Sequence, residues 1–255
     1  MEDRSPAPQR GSCDRDSGRL QGFAPPKAGI EPRDSAPAES RLAKQALVLD
    51  WDGTVTERDG LHMAIERFGD LAVFDALEDE LGTTLTLDEV IAAEMATITA
   101  SLAHVRDWLV EHVRVRAGFR ELVAEHDPLI VSSGFRELIE PILEREGVTA
   151  RVVANRVAAD ADGWRATFAD GPLCEICGER CKRRVVGSLG PFAYAGDGYS
   201  DRCVALAAEV RFARDGLATW LDGQRVAYEP FDDLHDLRAA LRVLQEDGAG
   251  DGRGG

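Results

Sequence analysis

The sequence predicts an α/β fold: a Rossmann-like parallel sheet with helices on both faces and one all-helical insertion. Three observations predict it. Short apolar runs of strand length alternate with segments of helical period, the pattern that builds parallel sheets through crossover helices. The alternation breaks once, between about Arg58 and Arg116, where no strand-like run occurs. Finally, 255 residues with 44% hydrophobic content suffice for one large α/β domain, or one domain with an insertion.

Taken in order, residues 1–44 are rich in Pro, Ser, Gly, Asp and Arg and lack an apolar period. They read as a disordered tail, unable to bury enough surface to offset the entropy of ordering. ALVLD, Ala46 to Asp50, is the first strand. The insertion, residues 58–116, contains LTLDEVIAAEMATITASLAHVRDWLVEHV, a long helical pattern that divides into two helices. GFRELVAEH is helical, PLIVSS (Pro128 to Ser133) is the second strand, FRELIEPILEREG is helical, and ARVVAN (Ala150 to Asn155) is the third strand. ANRVAADADGWRATFADG carries an Asp-Gly turn between two short extended runs and predicts a hairpin. PFAYAGD (Pro191 to Asp197) is the fourth strand, SDRCVALAAE a helix and EVRFAR (Glu209 to Arg214) the fifth strand. Residues 45–57 and 117–243 thus form the core. Residues 244–255, ending in a Gly-rich stretch, read as a flexible tail.

The net charge of −16 and a pI near 4.7 argue against nucleic acid or an anionic membrane surface as partner. An anionic substrate must then be captured by a local cation. No run of about 18 apolar residues is present to span a membrane, and the first residues lack the apolar stretch of a secretory signal. Five cysteines without such a signal are expected to stay reduced, in a cytoplasmic setting.

In an open parallel sheet, ligands bind beyond the carboxyl ends of the strands. Asp50, Asp52, Gly53 and Thr54 follow the first strand. Ser132, Ser133 and Gly134 end the second, and GDGYSD, Gly196 to Asp201, ends the fourth. Lys182 stands at the start of a helical segment just before that fourth strand. Acids, hydroxyls and a cation on one sheet edge suit phosphoryl transfer to a carboxylate. A divalent cation relieves the repulsion between carboxylate and phosphate. Mg²⁺ takes oxygen ligands, and Asp50, Asp197 and Asp201 are the natural acids for it. A serine hydroxyl and the lysine ammonium suit the remaining phosphate oxygens. One carboxylate attacks, and a second acid two residues on protonates the leaving alcohol.

In that order, DWDGTVT, SSGF, Lys182 and GDGYSD resemble the four motifs of the haloacid dehalogenase superfamily, over about residues 45–215. The resemblance implies Asp50 as nucleophile and Asp52 as general acid and base. It implies Ser132, Ser133, Gly134 and Lys182 as the phosphate site. Mg²⁺ is implied at Asp50, Asp197, Asp201 and the backbone carbonyl of Asp52. The helical insertion stands where the family's helical C1 cap stands, which points to the phosphoserine-phosphatase-like branch. There, related enzymes carry an acidic substrate contact nine residues after the nucleophile, here Asp59. CEICGERCK and GFRELIEPIL resemble the methionine-salvage hydroxyketo-methylthiopentenyl phosphate phosphatases and the phosphoethanolamine and phosphocholine phosphatases. Trp51 replaces the usual Phe, and Ser133 replaces a common Gly. Trp51 is expected to point away from the two acids, toward the cap, and to help shape substrate choice.

Plainer roles compete with these. Ser132 and Ser133 are expected also to cap the following helix. Asp59 serves equally well as a solvated loop acid. An EF-hand is excluded, because Val55 and Leu61 stand at positions six and twelve instead of Gly and Glu. Cys174, Cys177 and Cys181 have part of a zinc-site spacing but no evident fourth ligand, and are expected to be reduced, partly buried thiols. The five histidines show no ligand spacing and read as surface or packing residues, while Met63, Met95 and Trp108 read as core. The leading expectation is a Mg²⁺-dependent phosphatase for a small-molecule phosphate ester. Dehalogenation at carbon, a phosphotransferase and a silent phospho-ligand-binding domain are the alternatives, and the second acid, Asp52, weighs against the first of these.

Overall fold

A computed structural model of the chain describes residues 46–160 and 162–250. The expected tail at 1–44, Cys13 and the last five residues lie outside the described residues. Strand β1 is Ala46–Leu49, β2 Leu129–Phe135, β3 Arg151–Asp160, β4 Gly163–Thr167, β5 Phe192–Gly196, β6 Val210–Ala213 and β7 Glu229–Pro230. They form one sheet in the order β4-β3-β2-β1-β5-β6-β7. Every neighbouring pair is parallel except β3–β4, the hairpin that the Asp-Gly turn predicts. β1 is central: the chain builds outward through β2 and β3 on one side, then returns and builds through β5, β6 and β7 on the other. The order therefore reverses beside β1, which is where an open α/β sheet forms its ligand crevice.

Both faces of the sheet are covered. Leu47, Leu49, Ile130, Ala193 and Phe212 pack in one cluster with Phe119 and Leu122 of α5 (Phe119–His126), Leu138 and Ile139 of α6 (Arg136–Glu146), and Leu237 and Leu241 of α10 (Leu234–Gly250). Val48, Leu129, Val131 and Tyr194 pack in a second with Val186 of α7 (Arg183–Val186), Val204 of α8 (Arg202–Ala205), and Leu217 and Leu221 of α9 (Asp215–Gln224). Alternate residues of β1 thus enter opposite layers, and this is why ALVL is apolar throughout.

Between β1 and α5 lie α1 (Gly60–Phe68), α2 (Leu71–Glu78), α3 (Leu87–Met95) and α4 (Leu102–His112). Each begins at a side chain that accepts from its own first turn: Asp59, Asp70, Thr86 and Ser101. Thr86 and Glu89 form a reciprocal capping box. The long helical pattern breaks into α3 and α4 at the short segment, residues 96–100, before Ser101. The chain leaves the core and re-enters it side by side, through a Thr56–Val115 bridge and hydrogen bonds between Glu57 N and Arg114 O and between Arg116 N and Val55 O, 2.9 Å each.

Two expectations are corrected. Residues 244–250, read as the start of a flexible tail, continue α10; Leu234, Leu237, Leu241 and Leu244 keep a helical period against the core and carry the helix on. Ser132 and Ser133 do not cap α6, because β2 runs extended through Phe135, which makes no side-chain cap bond.

Candidate active site

β1 ends at Asp50, whose N–H donates to Ala195 O of β5 at 2.9 Å. The chain then turns sharply. Val55 N and Thr56 N both bond Trp51 O, and the Thr56 hydroxyl accepts from Gly53 N at 3.1 Å. Gly53 has φ +74°, and a Cβ there would fall 2.2 Å from Asp197 Oδ2, so only glycine fits between the loop and that acid. Arg116 locks the turn from outside, donating to Gly53 O and Thr54 O at 3.0 Å each. This turn lets Asp50 and Asp52, two residues apart, reach the same cavity.

That cavity, about 280 Å³, is lined at its base by Asp50, Asp52, Ser132, Ser133, Gly134 and Asp197. The Ser132 hydroxyl accepts from Gly134 N at 2.8 Å, which leaves its O–H free to donate. A Cβ on Gly134 would lie 2.8 Å from Asp52 Oδ2, so the glycine admits that carboxylate. Lys182, 5% exposed, precedes α7 and donates to Asp50 Oδ1 and to Asp201 Oδ1, the latter at 2.6 Å. Asp201 is fully buried. Its Oδ1 also accepts from Tyr194 OH at 2.6 Å, and its Oδ2 from Asp197 N and Gly198 N at 2.8 and 2.9 Å.

Electrostatics separate the acids. Burial, then the Asp201 charge, pushes the Asp50 carboxyl up to about 7 against the pull of Lys182. Burial with the Asp59 and Asp50 charges holds Asp52 well above the usual carboxylate range. Burial with Asp50 and Asp201 pushes Asp197 up to about 9. Asp201 goes the other way: burial opposes its charge, but Lys182 and the Gly198 N–H outweigh it and hold the carboxyl low.

One oxygen from each of Asp50, Asp197 and Asp201 lies within 4.8 Å of the others. This is an all-oxygen, hard donor set with more negative charge than Lys182 balances, and it fits a divalent ion such as Mg²⁺. Asp50 and Asp197 suit direct contact. Both oxygens of Asp201 already accept from the protein, so it anchors Lys182 and the Asp197–Gly198 backbone.

The far wall of the cavity comes from the helical insertion: Asp59, Leu61, His62, Phe74, Glu78, Leu81, Leu87, Val90, Ile91 and Glu94. Glu94 is 4% exposed, and its Oε1 is buried without a hydrogen-bond partner. Burial, then the Glu78 and Asp59 charges, pushes its carboxyl up to about 8. Asp59 lines the cavity while capping α1 through His62 N at 2.9 Å. Sequence reasoning missed Glu78, Glu94 and Tyr199, and gave His62 only a surface or packing role. A helical period marks Glu94 as a neighbour of core positions, but nothing in the sequence says that its face opens on the acids. Trp51 lies beside Gly60, Leu61 and Leu109 of the insertion, but the expectation that it shapes the substrate cavity is corrected. It is buried, meets the Phe119 ring edge-on at 6.0 Å, and is absent from the cavity wall, so it packs the core beneath the insertion.

The sequence pattern described as haloacid dehalogenase-like hydrolase matches residues 47–206. The chain is 29% identical over 218 residues to the 2-hydroxy-3-keto-5-methylthiopentenyl-1-phosphate phosphatase of Geobacillus kaustophilus, covering 80% of this chain and 99% of that one. It is 24% identical over 208 residues to the phosphatase of the same name from Exiguobacterium, covering 77% and 96%. Among solved structures it resembles a substrate-bound phosphoserine phosphatase (TM-score 0.59, 14% identity, 77% and 98% covered). It also resembles the phosphoserine phosphatase of T. onnurineus (0.57, 19%, 79% and 96%). These structural likenesses establish a shared α/β fold. The family pattern runs from β1 through the acids after β5, the stretch that supplies the base of the cavity, and the chain belongs to the haloacid dehalogenase-like hydrolase family.

Proposed function

We propose that this hydrolase is a Mg²⁺-dependent phosphatase that cleaves small phosphate monoesters through a phosphorylated Asp50. The observation that carries the reading is the convergence of Asp50, Asp197 and Asp201 on buried Lys182, with Asp52 on the same cavity. Asp50 and Asp197 would hold Mg²⁺, which would supply the positive charge that lets a carboxylate approach a phosphate dianion. Lys182 holds Asp50 Oδ1 and so orients the carboxylate. The other oxygen attacks phosphorus, forming a carboxyl O–P bond as the ester P–O bond breaks. Asp52, whose carboxyl burial and its acidic neighbours raise, gives its proton to the departing alkoxide. The resulting Asp52 carboxylate then takes a proton from water, whose oxygen attacks phosphorus and frees Asp50 and inorganic phosphate. Ser132 donates to a phosphate oxygen from a hydroxyl fixed by Gly134 N.

The wall opposite the phosphate site sets the substrate class. It carries Asp59, Glu78 and Glu94 and neither Lys nor Arg, so it disfavours a second anionic group on the substrate. The unpartnered Glu94 oxygen favours a phosphate ester bearing an amine or hydroxyl donor. A second reading rests on the apolar share of the same wall, Leu61, Phe74, Leu87 and Ile91. It suits a neutral apolar tail, as in the substrate named for the relatives, with protonated Glu94 donating to a carbonyl.

The test is a panel of phosphate monoesters with amine, hydroxyl, thioether or carboxylate ends, assayed with and without Mg²⁺. Hydrolysis should need the ion, vanish in Asp50→Asn and leave acid-stable label on wild-type protein after quenching. Turnover that survives Asp50→Asn or complete chelation overturns the reading.

A further inference from the structure

A second cluster lies behind the acids, in the loop between β4 and α7. The loop has little regular structure, and the two large apolar residues of its cysteine-bearing part face outward: Leu173 is 55% exposed and Ile176 50%. Apolar packing of these side chains therefore does not hold it in place. Its cysteines do converge. The sulfurs of Cys174, Cys177 and Cys181 lie within 4.8 Å of one another and of Cys203 in α8. All four are free thiols, with Cys174 and Cys203 buried. Cys203 supplies the fourth thiol that the spacing of the first three does not reveal; it lies 22 residues beyond Cys181, and only the tertiary fold brings it in.

We propose that Cys174, Cys177, Cys181 and Cys203 bind one structural Zn²⁺ as four thiolates. Zinc–sulfur bonds of about 2.3 Å in a tetrahedron place sulfurs about 3.8 Å apart. The Cys174 and Cys203 sulfurs are 3.8 Å apart. The backbone is shaped for the same task. Gly178 N donates to Cys174 O and Cys174 N to Glu179 O, both at 2.8 Å, closing a tight turn that sets the first two sulfurs side by side. Four protein ligands close the coordination sphere, which is the form of a structural site. The two metal sites sort by chemistry: thiolates select zinc, and the carboxylate set selects Mg²⁺.

The ion has a clear mechanical role. Cys181 immediately precedes Lys182, and Cys203 follows Asp201 by two residues. Zinc would therefore pin both segments that carry the Lys182–Asp201 ion pair. The same loop reaches the helical insertion through Arg180, which pairs with Asp88 of α3 at 2.9 Å.

The experiment uses the full chain, produced with zinc in the medium and purified without chelator. Elemental analysis should find one zinc per chain. Titration with an organomercurial should release it in step with thiol modification, measured with a colorimetric zinc indicator. Cobalt replacement should give the intense visible absorption of a tetrahedral thiolate site. Cys203→Ser and Cys177→Ser should lose most of the zinc, while Cys13→Ser retains it. Should those ligand variants be insoluble, mercurial release from the wild-type chain decides. Absence of stoichiometric zinc, zinc that thiol modification does not release, or two disulfides among the four cysteines in freshly purified protein overturns the proposal.

Discussion

Asp52 is the residue whose environment most constrains its task. A carboxyl whose proton burial and the charges of Asp59 and Asp50 make harder to lose suits donation to a leaving group. Asp52→Asn should thus slow hydrolysis of alkyl phosphates by about 10²–10⁴-fold. An aryl phosphate, whose phenolate leaves without help, should lose far less in its phosphorylation step. Equal losses on both substrates, measured as single-turnover rates, would remove Asp52 from that role. Glu94 makes a different, thermodynamic prediction. Its carboxyl is raised from an ordinary 4.5 to about 8 in the folded chain. Between those values the unfolded chain gives up the proton and the folded chain keeps it, so stability falls as pH rises, by at most about 1.4 kcal/mol per pH unit, and then levels. The amide of Glu94→Gln does not titrate. Its stability relative to wild type should climb between about pH 5 and about pH 8, and urea denaturation at the two values checks this. The two residues also differ in legibility. Asp50 and Asp52 were readable because the chain itself places them at a strand end. Glu94 and Cys203 were not, because each acquires its neighbours only when distant segments pack.

At the scale of elements, β1, β5 and the first half of β2 were legible because a strand buried on both faces must be apolar along its length, while β3, largely exposed, and β6 were legible from short apolar runs between helical segments. β7 was not, since two exposed residues, Glu229 and Pro230, carry no such signal. The β3–β4 hairpin was legible from its turn, but its packing partner was not. Trp164 of β4 is 1% exposed, and its indole N–H donates to Ala100 O at 2.8 Å, while its backbone N–H donates to Ile98 O at 3.1 Å. Those acceptors lie in the segment between α3 and α4, so the hairpin braces the helix that carries Glu94. Trp164→Ala removes a large buried side chain and orphans the Ala100 carbonyl. It should cost about 3–5 kcal/mol of stability in denaturant unfolding. It should also raise KM more than it lowers kcat, because the acids on β1 and after β5 are built on other elements. A loss below about 1 kcal/mol would mean that the insertion stands without the hairpin.

For the whole molecule, the notable quantity is a net charge of −16, from 46 acidic and 30 basic residues, in a chain whose proposed substrate is itself a dianion. On that proposal the long-range field repels what the site must capture, and capture would fall to the Ser132 hydroxyl, Lys182 and a divalent cation at close range. The two ranges respond differently to salt. The Debye length shrinks from about 30 Å at 0.01 M to about 8 Å at 0.15 M. Such screening removes the repulsion felt by an approaching ester but barely touches contacts inside a buried site. With Mg²⁺ held saturating, kcat/KM for a dianionic phosphate ester should therefore rise with ionic strength over that range while kcat stays level. An ester bearing an ammonium group, with less net charge to repel, should respond less. Steady-state kinetics on the two esters across a salt series tests this. A kcat/KM that falls with salt would place a dominant positive field at the cavity, whose lining instead holds Asp59 and Glu78.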